Sequence, residues 1–138
     1  MTAHKFLLDT NIISELMRNP QGTITEKIAQ EGESSICTSI IVSSELYFGA
    51  AKKFQQTGSR RLLEQVKLIL SAIDILPLEQ PADHHYAEIR SYLEKKGTPI
   101  GPNDLLIAAH AKANELIVVT ANFNEFNRVP GLMVEHWT

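Results

Sequence analysis

Three carboxylates stand where their residue type needs a reason. Asp9 follows the apolar run Phe6-Leu7-Leu8 and precedes Thr10 and Asn11. A buried strand therefore ends on an acid, and in open α/β sheets ligands collect at the carboxyl ends of the strands. Glu45 lies four residues after Ile41 and three before Phe48, on a helical row that is otherwise apolar. Asp104 sits in the first turn after a loop rich in Gly and Pro, on the face that also carries Ile107, Ala108 and Ala111. Each acid has a structural alternative: Asp9 and Asp104 as acids favoured by the free N–H groups of a helix start, Glu45 as a half-exposed residue at the edge of a buried stripe. Brought together they would repel. Two carboxylates about 4 Å apart cost about 4 kcal/mol at an effective dielectric of 20, against a total stability of about 5–15 kcal/mol. Such a cluster needs a proton or a cation. Oxygen donors with an amide nearby suit Mg²⁺ or Mn²⁺ and suit Zn²⁺ or copper poorly. The chemistry an ion so held supports is hydrolysis of a phosphodiester.

The elements that must position these acids follow from the apolar period. Residues 6–8 and 116–120 read as buried strands, residues 35–38 and 73–76 as further strands, and residues 132–137 as a short last strand with Trp137 on the edge. Helices are predicted after Asp9, with Ile12, Ile13, Leu16 and Met17 at helical spacing and Asn19-Pro20 with Gly22 ending it, over 23–31 closed by Gly32, over 40–55 with Ser39 as N-cap, over 60–72, from Pro81 to Lys96, and from Pro102 through Ala111. The third and fourth of these form a hairpin pair whose Tyr47, Phe48 and Phe54 offer an apolar patch for a partner, with core packing the expectation for Phe48. Strand and helix alternate throughout. The fold class is α/β, with a mainly parallel central sheet of four to five strands flanked by helices, in a single domain spanning residues 1–138. On that plan Asp9 and Thr120 lie at strand ends, Asp104 starts a helix on the same edge, and Glu45 reaches in from the third helix.

Composition excludes several classes. A hydrophobic fraction of 43% is ordinary for a globular chain, and no apolar run approaches the roughly 18 residues of a membrane span. With no h-region ahead of the first strand, a cytoplasmic location is expected. The lone Cys37 lies in an apolar stretch and is expected to be a buried small hydrophobe. His84 and His85 are neighbours on one helix, point about 100° apart and lack a Cys/His partner set, which argues against zinc. His110 is expected to be packed or on the surface. A net charge of −3, from 13 basic and 16 acidic residues, argues against broad non-specific nucleic-acid binding. It does not exclude a nuclease whose own site is acidic. Lys95 and Lys96, ahead of the Gly97 loop, are candidate RNA phosphate contacts, and equally a solvated helix end complementing its dipole.

Four segments together resemble a known family. Leu8-Asp9-Thr10-Asn11, Ser43-Ser44-Glu45-Leu46 with Gly49-Ala50, Gly97 through Ala111, and Val119-Thr120-Ala121-Asn122 with Glu125-Phe126 occur in the order and spacing of the PIN-domain ribonucleases. Nearly the whole chain resembles the VapC toxins of bacterial type II toxin–antitoxin modules, and the Gly97–Asp104 loop is the most specific part. The resemblance implies a PIN-like fold and a Mg²⁺- or Mn²⁺-dependent endoribonuclease with Asp9, Glu45 and Asp104 as metal-binding and catalytic acids. It also implies support from Asn11, Thr120, Asn122 and Glu125, a VapB-type antitoxin, a homodimer, and tRNA as substrate, with the initiator tRNA anticodon stem-loop favoured. Asn122 stands where the fullest PIN pattern has a fourth acid. An amide can ligate or hold a water but supplies no charge, Glu125 could compensate through water, and one metal or two stays open. Two rivals remain: a PIN-like RNA- or protein-binding module with little or no catalysis, fed by Asn122, and a phosphoacceptor domain using Asp9, disfavoured by Asn11 where a second acid would stand.

Overall fold

The run Phe6-Leu7-Leu8 is buried at every position and forms β1 (Phe6–Leu8) at the centre of the sheet. The structure, a computed structural model, describes residues 4–138. β1 pairs in parallel with β2 (Ile36–Ser39) on one side and β4 (Ile117–Val119) on the other. Outside these lie β3 (Asp74–Leu76), beside β2, and β5 (Val134–Glu135), beside β4. All neighbours run parallel, in the order β3-β2-β1-β4-β5. The chain steps one way from β1 to β2 and β3, then returns across β1 to β4. That reversal opens a crevice at the carboxyl edge between β1 and β4, where Asp9 and Thr120 emerge.

Among the described residues seven α-helices flank the sheet. α1 (Thr10–Arg18) buries Ile12 and Ile13, and α2 (Thr23–Glu31) buries Ile24. α3 (Ile40–Thr57) begins at Ser39, whose hydroxyl accepts from the Ile41 N–H at 3.0 Å, the N-cap expected from the residue type. α4 (Arg61–Ser71) packs back on α3 as a hairpin. α5 (Ala82–Lys96) ends at Gly97, whose φ of +73° is the left-handed turn glycine adopts without a Cβ penalty. α6 (Pro102–Ala113) starts with proline in its first turn and is buried along most of its length, through Leu105, Ile107, Ala108, Ala109, His110 and Ala111.

Some expectations need correction. A short α7 (Phe123–Phe126) follows β4 where no helix is predicted, because four residues with only Phe126 buried carry no readable period. The last strand is confined to Val134–Glu135. Phe48 is 69% exposed instead of packed in the core, and Tyr47 and Phe54 of α3 are exposed as well. Cys37 and Trp137 are buried as expected. Burial pushes the Cys37 thiol up to about 12, with the Asp74 charge adding to it, so it is no nucleophile. No helix among the described residues is long and apolar enough to cross a membrane. The expectation about a leader segment falls partly on residues 1–3, which lie outside the described residues.

Candidate active site

Asp9 leaves the end of β1 with only 2% of its surface exposed. Both of its oxygens are engaged: Oδ1 accepts from the Thr10 N–H at 2.8 Å, and Oδ2 from the Thr120 hydroxyl at 2.7 Å. Asp9 is therefore also the N-cap of α1. The Thr10 hydroxyl turns the other way and donates to Glu45 Oε1 at 2.5 Å. The second oxygen of Glu45 accepts from the Asn103 side-chain amide at 3.2 Å. Glu45 thus points out of α3 between α1 and the start of α6, held by residues from both.

Asp104 makes none of the backbone bonds that a capping role would need. Gly101 is the N-cap of α6 and contributes no side-chain bond. Asp104 instead faces the other acids. Burial is the largest cause that raises its carboxyl to about 7, followed by the Asp9 charge, a hydrogen bond with Glu125, and the charges of Glu125 and Glu45. Burial also raises Asp9. The Thr120 and Thr10 hydrogen bonds oppose that rise, and the Glu45 and Glu125 charges reinforce it. Asp9 and Asp104 thus both feel the charges of Glu45 and Glu125.

Asp9, Glu45 and Asp104 border an open cleft of about 360 Å³ whose lining is completed by Thr10, Asn11, Ser14, Arg18 and Asn122. Asn11 Oδ1 accepts from the Ala121 N–H at 3.1 Å, tying α1 to the segment after β4. The Asn122 N–H donates to the Thr120 hydroxyl at 2.9 Å and so fixes the group that orients Asp9. Lys95 and Lys96 stand apart at the exposed end of α5, where Lys96 lies 5.7 Å from the Tyr92 ring, and neither lines the cleft. Sequence reasoning passed over Asn103, Ser14 and Arg18. The signal available was the four-residue spacing of Thr10, Ser14 and Arg18, a polar row that on most helices means only a solvated face.

A divalent cation is chemically suited to this donor set, since carboxylates forced together are relieved by positive charge. Among the described residues no three His, Cys, Asp or Glu side chains close round one ion-sized point. Mg²⁺ asks for less than such a cage: one or two carboxylates, with water completing the octahedron. Asp9, Glu45 and Asp104 would be the groups to hold it, beside Asn122 in the same cleft.

The chain is similar to known proteins over nearly its whole length. The PIN domain family pattern matches residues 6–132. The chain is 38% identical over 133 residues to the tRNA(fMet)-specific endonuclease VapC of Salmonella typhimurium, covering 96% of this chain and 98% of that protein. It is 35% identical to Ribonuclease VapC2 of Rickettsia felis, covering 96% of this chain and 97% of that one. Among solved structures, DNA-bound VapBC from Salmonella typhimurium superposes with a TM-score of 0.89 at 37% identity, covering 98% of this chain and 99% of the matched chain.

Proposed function

This chain belongs to the PIN-domain family, and on that premise we propose that it is a VapC-type toxin, an endoribonuclease that hydrolyses tRNA with Mg²⁺ or Mn²⁺ and is restrained by a VapB-type antitoxin. The observation that carries this reading is the meeting of Asp9, Glu45 and Asp104 at the carboxyl edge of the sheet, from elements far apart in the chain. When bound, a divalent ion supplies positive charge to the phosphate oxygens and acidifies water for in-line attack. The protein's own part is to hold the acids still. Thr10 N–H and the Thr120 hydroxyl orient Asp9, while the Thr10 hydroxyl and Asn103 orient Glu45. Asp104, raised to about 7 chiefly by burial and the Asp9 charge, would have to lose its proton to help hold a cation. Residues 1–138 act as one PIN-like unit, the toxin is a homodimer, and initiator tRNA is the favoured substrate because the Salmonella relative bears that specificity in its name.

Incubating the antitoxin-free protein with a tRNA pool and Mg²⁺ or Mn²⁺ tests the proposal. Discrete tRNA fragments are expected, and EDTA or Asp9→Asn should abolish them. Intact RNA in both metals, from protein with a cooperative melting transition, would overturn the nuclease reading; if tRNA still bound, a non-catalytic binding module would replace it.

A further inference from the structure

Arg18 is the only cation lining the acidic cleft among the described residues. It lies two turns beyond Thr10 on the same row of α1, so the wall of the cleft runs from Thr10 past Ser14 to Arg18, about 12 Å at 1.5 Å per residue. The acids end where the guanidinium begins. That order matters to a polyanion. The inner cleft repels phosphate wherever a metal does not intervene, whereas its outer end attracts it.

The side chain is held in readiness. Arg18 Nη2 donates to Glu15 Oε2 at 2.8 Å, one turn back, with the two side chains 68% and 37% exposed. An exposed pair of this kind contributes little to stability, so a phosphate can take the place of Glu15 without disturbing α1. Guanidinium is also the group that meets a phosphate with two parallel hydrogen bonds. Complementing the dipole at the last turn of α1 does not require the side chain to border the cleft.

We propose that Arg18 binds a backbone phosphate of the RNA strand next to the one being cut, and that Glu15 is its resting partner, exchanged for phosphate when RNA enters. This rests on the ribonuclease reading above, and the test separates the two. Labelled tRNA pool is titrated onto the full-length chain carrying Asp104→Asn, so that binding is read without cleavage, while cutting by the unaltered protein is scored independently. Adding Arg18→Gln is expected to weaken binding about tenfold and to lower the slope of log affinity against log salt by about 0.7, the share of one phosphate on a single strand. Arg18→Lys keeps the slope while losing part of the affinity. Glu15→Gln, which frees the guanidinium, tightens binding. In the cutting protein Arg18→Gln should raise KM with kcat nearly unchanged. An unaltered salt slope in Arg18→Gln, or a Glu15→Gln protein that binds no better, overturns the assignment, and does so whether or not the unaltered protein cuts RNA.

Discussion

Asp104 is a carboxyl whose surroundings set its protonation. In the folded, metal-free protein it holds its proton up to about pH 7, while its ordinary value is 3.8. The folded chain therefore binds that proton more tightly than the unfolded one. The stabilisation is complete below about pH 4, and it drains away as pH rises and is gone above about pH 7. His110 acts in the opposite sense. Burial lowers its pKa, against the Pro77 carbonyl and the Glu79 charge, so its environment destabilises the fold as pH falls through 6.5. Subtracting an Asp104→Asn profile from that of the unaltered protein isolates the first effect. At pH 8 without metal, Asp104→Asn should melt higher by about 3–6 °C, and the difference should shrink towards pH 4. It should also lose cleavage. Millimolar Mg²⁺ or Mn²⁺ should raise the Tm of the unaltered protein at pH 8, EDTA should reverse the gain, and Asp104→Asn should respond weakly. An Asp104→Asn protein that melts lower at pH 8 would return Asp104 to a helix-start role. Much of this residue-scale picture is legible in the sequence: a strand ending in Asp9 and an acid beside Ile107 and Ala108 are local patterns. The bonds from Thr10 and Asn103 to Glu45 are not, because they join residues 35 and 58 positions apart and depend on how three helices cross.

Between elements, the Ser39 and His110 side chains form a buried brace. The Ser39 hydroxyl accepts from the Ile41 N–H and meets His110 Nδ1 at 2.7 Å, so one group caps α3 and ties it to α6. His110 Nε2, on the side of the Pro77 carbonyl, makes no hydrogen bond of good geometry. α3 carries Glu45 and α6 carries Asp104, so the brace sets the distance between two acids from within the core. Ser39→Ala removes the cap and strands a buried ring nitrogen. A loss of about 2–3 kcal/mol is expected in urea unfolding, and a change within about 0.5 kcal/mol, the range of an ordinary surface substitution, would show that the brace contributes nothing. The elements themselves were largely legible, since long periodic runs such as α5 and continuous apolar runs such as β1 and β4 announce their type. α7 was not, and Phe48 misled because an aromatic on a helix suggests core, whereas the buried side of α3 is already filled by Val42, Leu46 and Ala50.

At the scale of the molecule, the sheet is closed at its middle by a residue from the far end of the chain. The Trp137 ring stands edge-on to Phe6 with centroids 4.9 Å apart, and its Nε1–H donates to Glu135 at 2.9 Å. Trp137→Ala should cost about 3–5 kcal/mol by chemical denaturation, and a milder loss would mean that Phe6 is sealed by its other neighbours. This contact was legible only as a Trp near an edge, because pairing residues 6 and 137 requires the strand order, and the strand order requires the crossover back from β3 to β4. The same wiring bears on timing during synthesis. A chain extended only to residue 100 has Asp9 and Glu45 but lacks Asp104, Asn122, Glu125, β4 and the Trp137 seal. Two of the eight residues that line the cleft, Asp104 and Asn122, do not yet exist, and β1 has no neighbour on one side. On the proposed ribonuclease reading a ribosome-bound chain of that length still lacks the Asp104 arm of the site, and the cleft is completed only as the last strands emerge and dock.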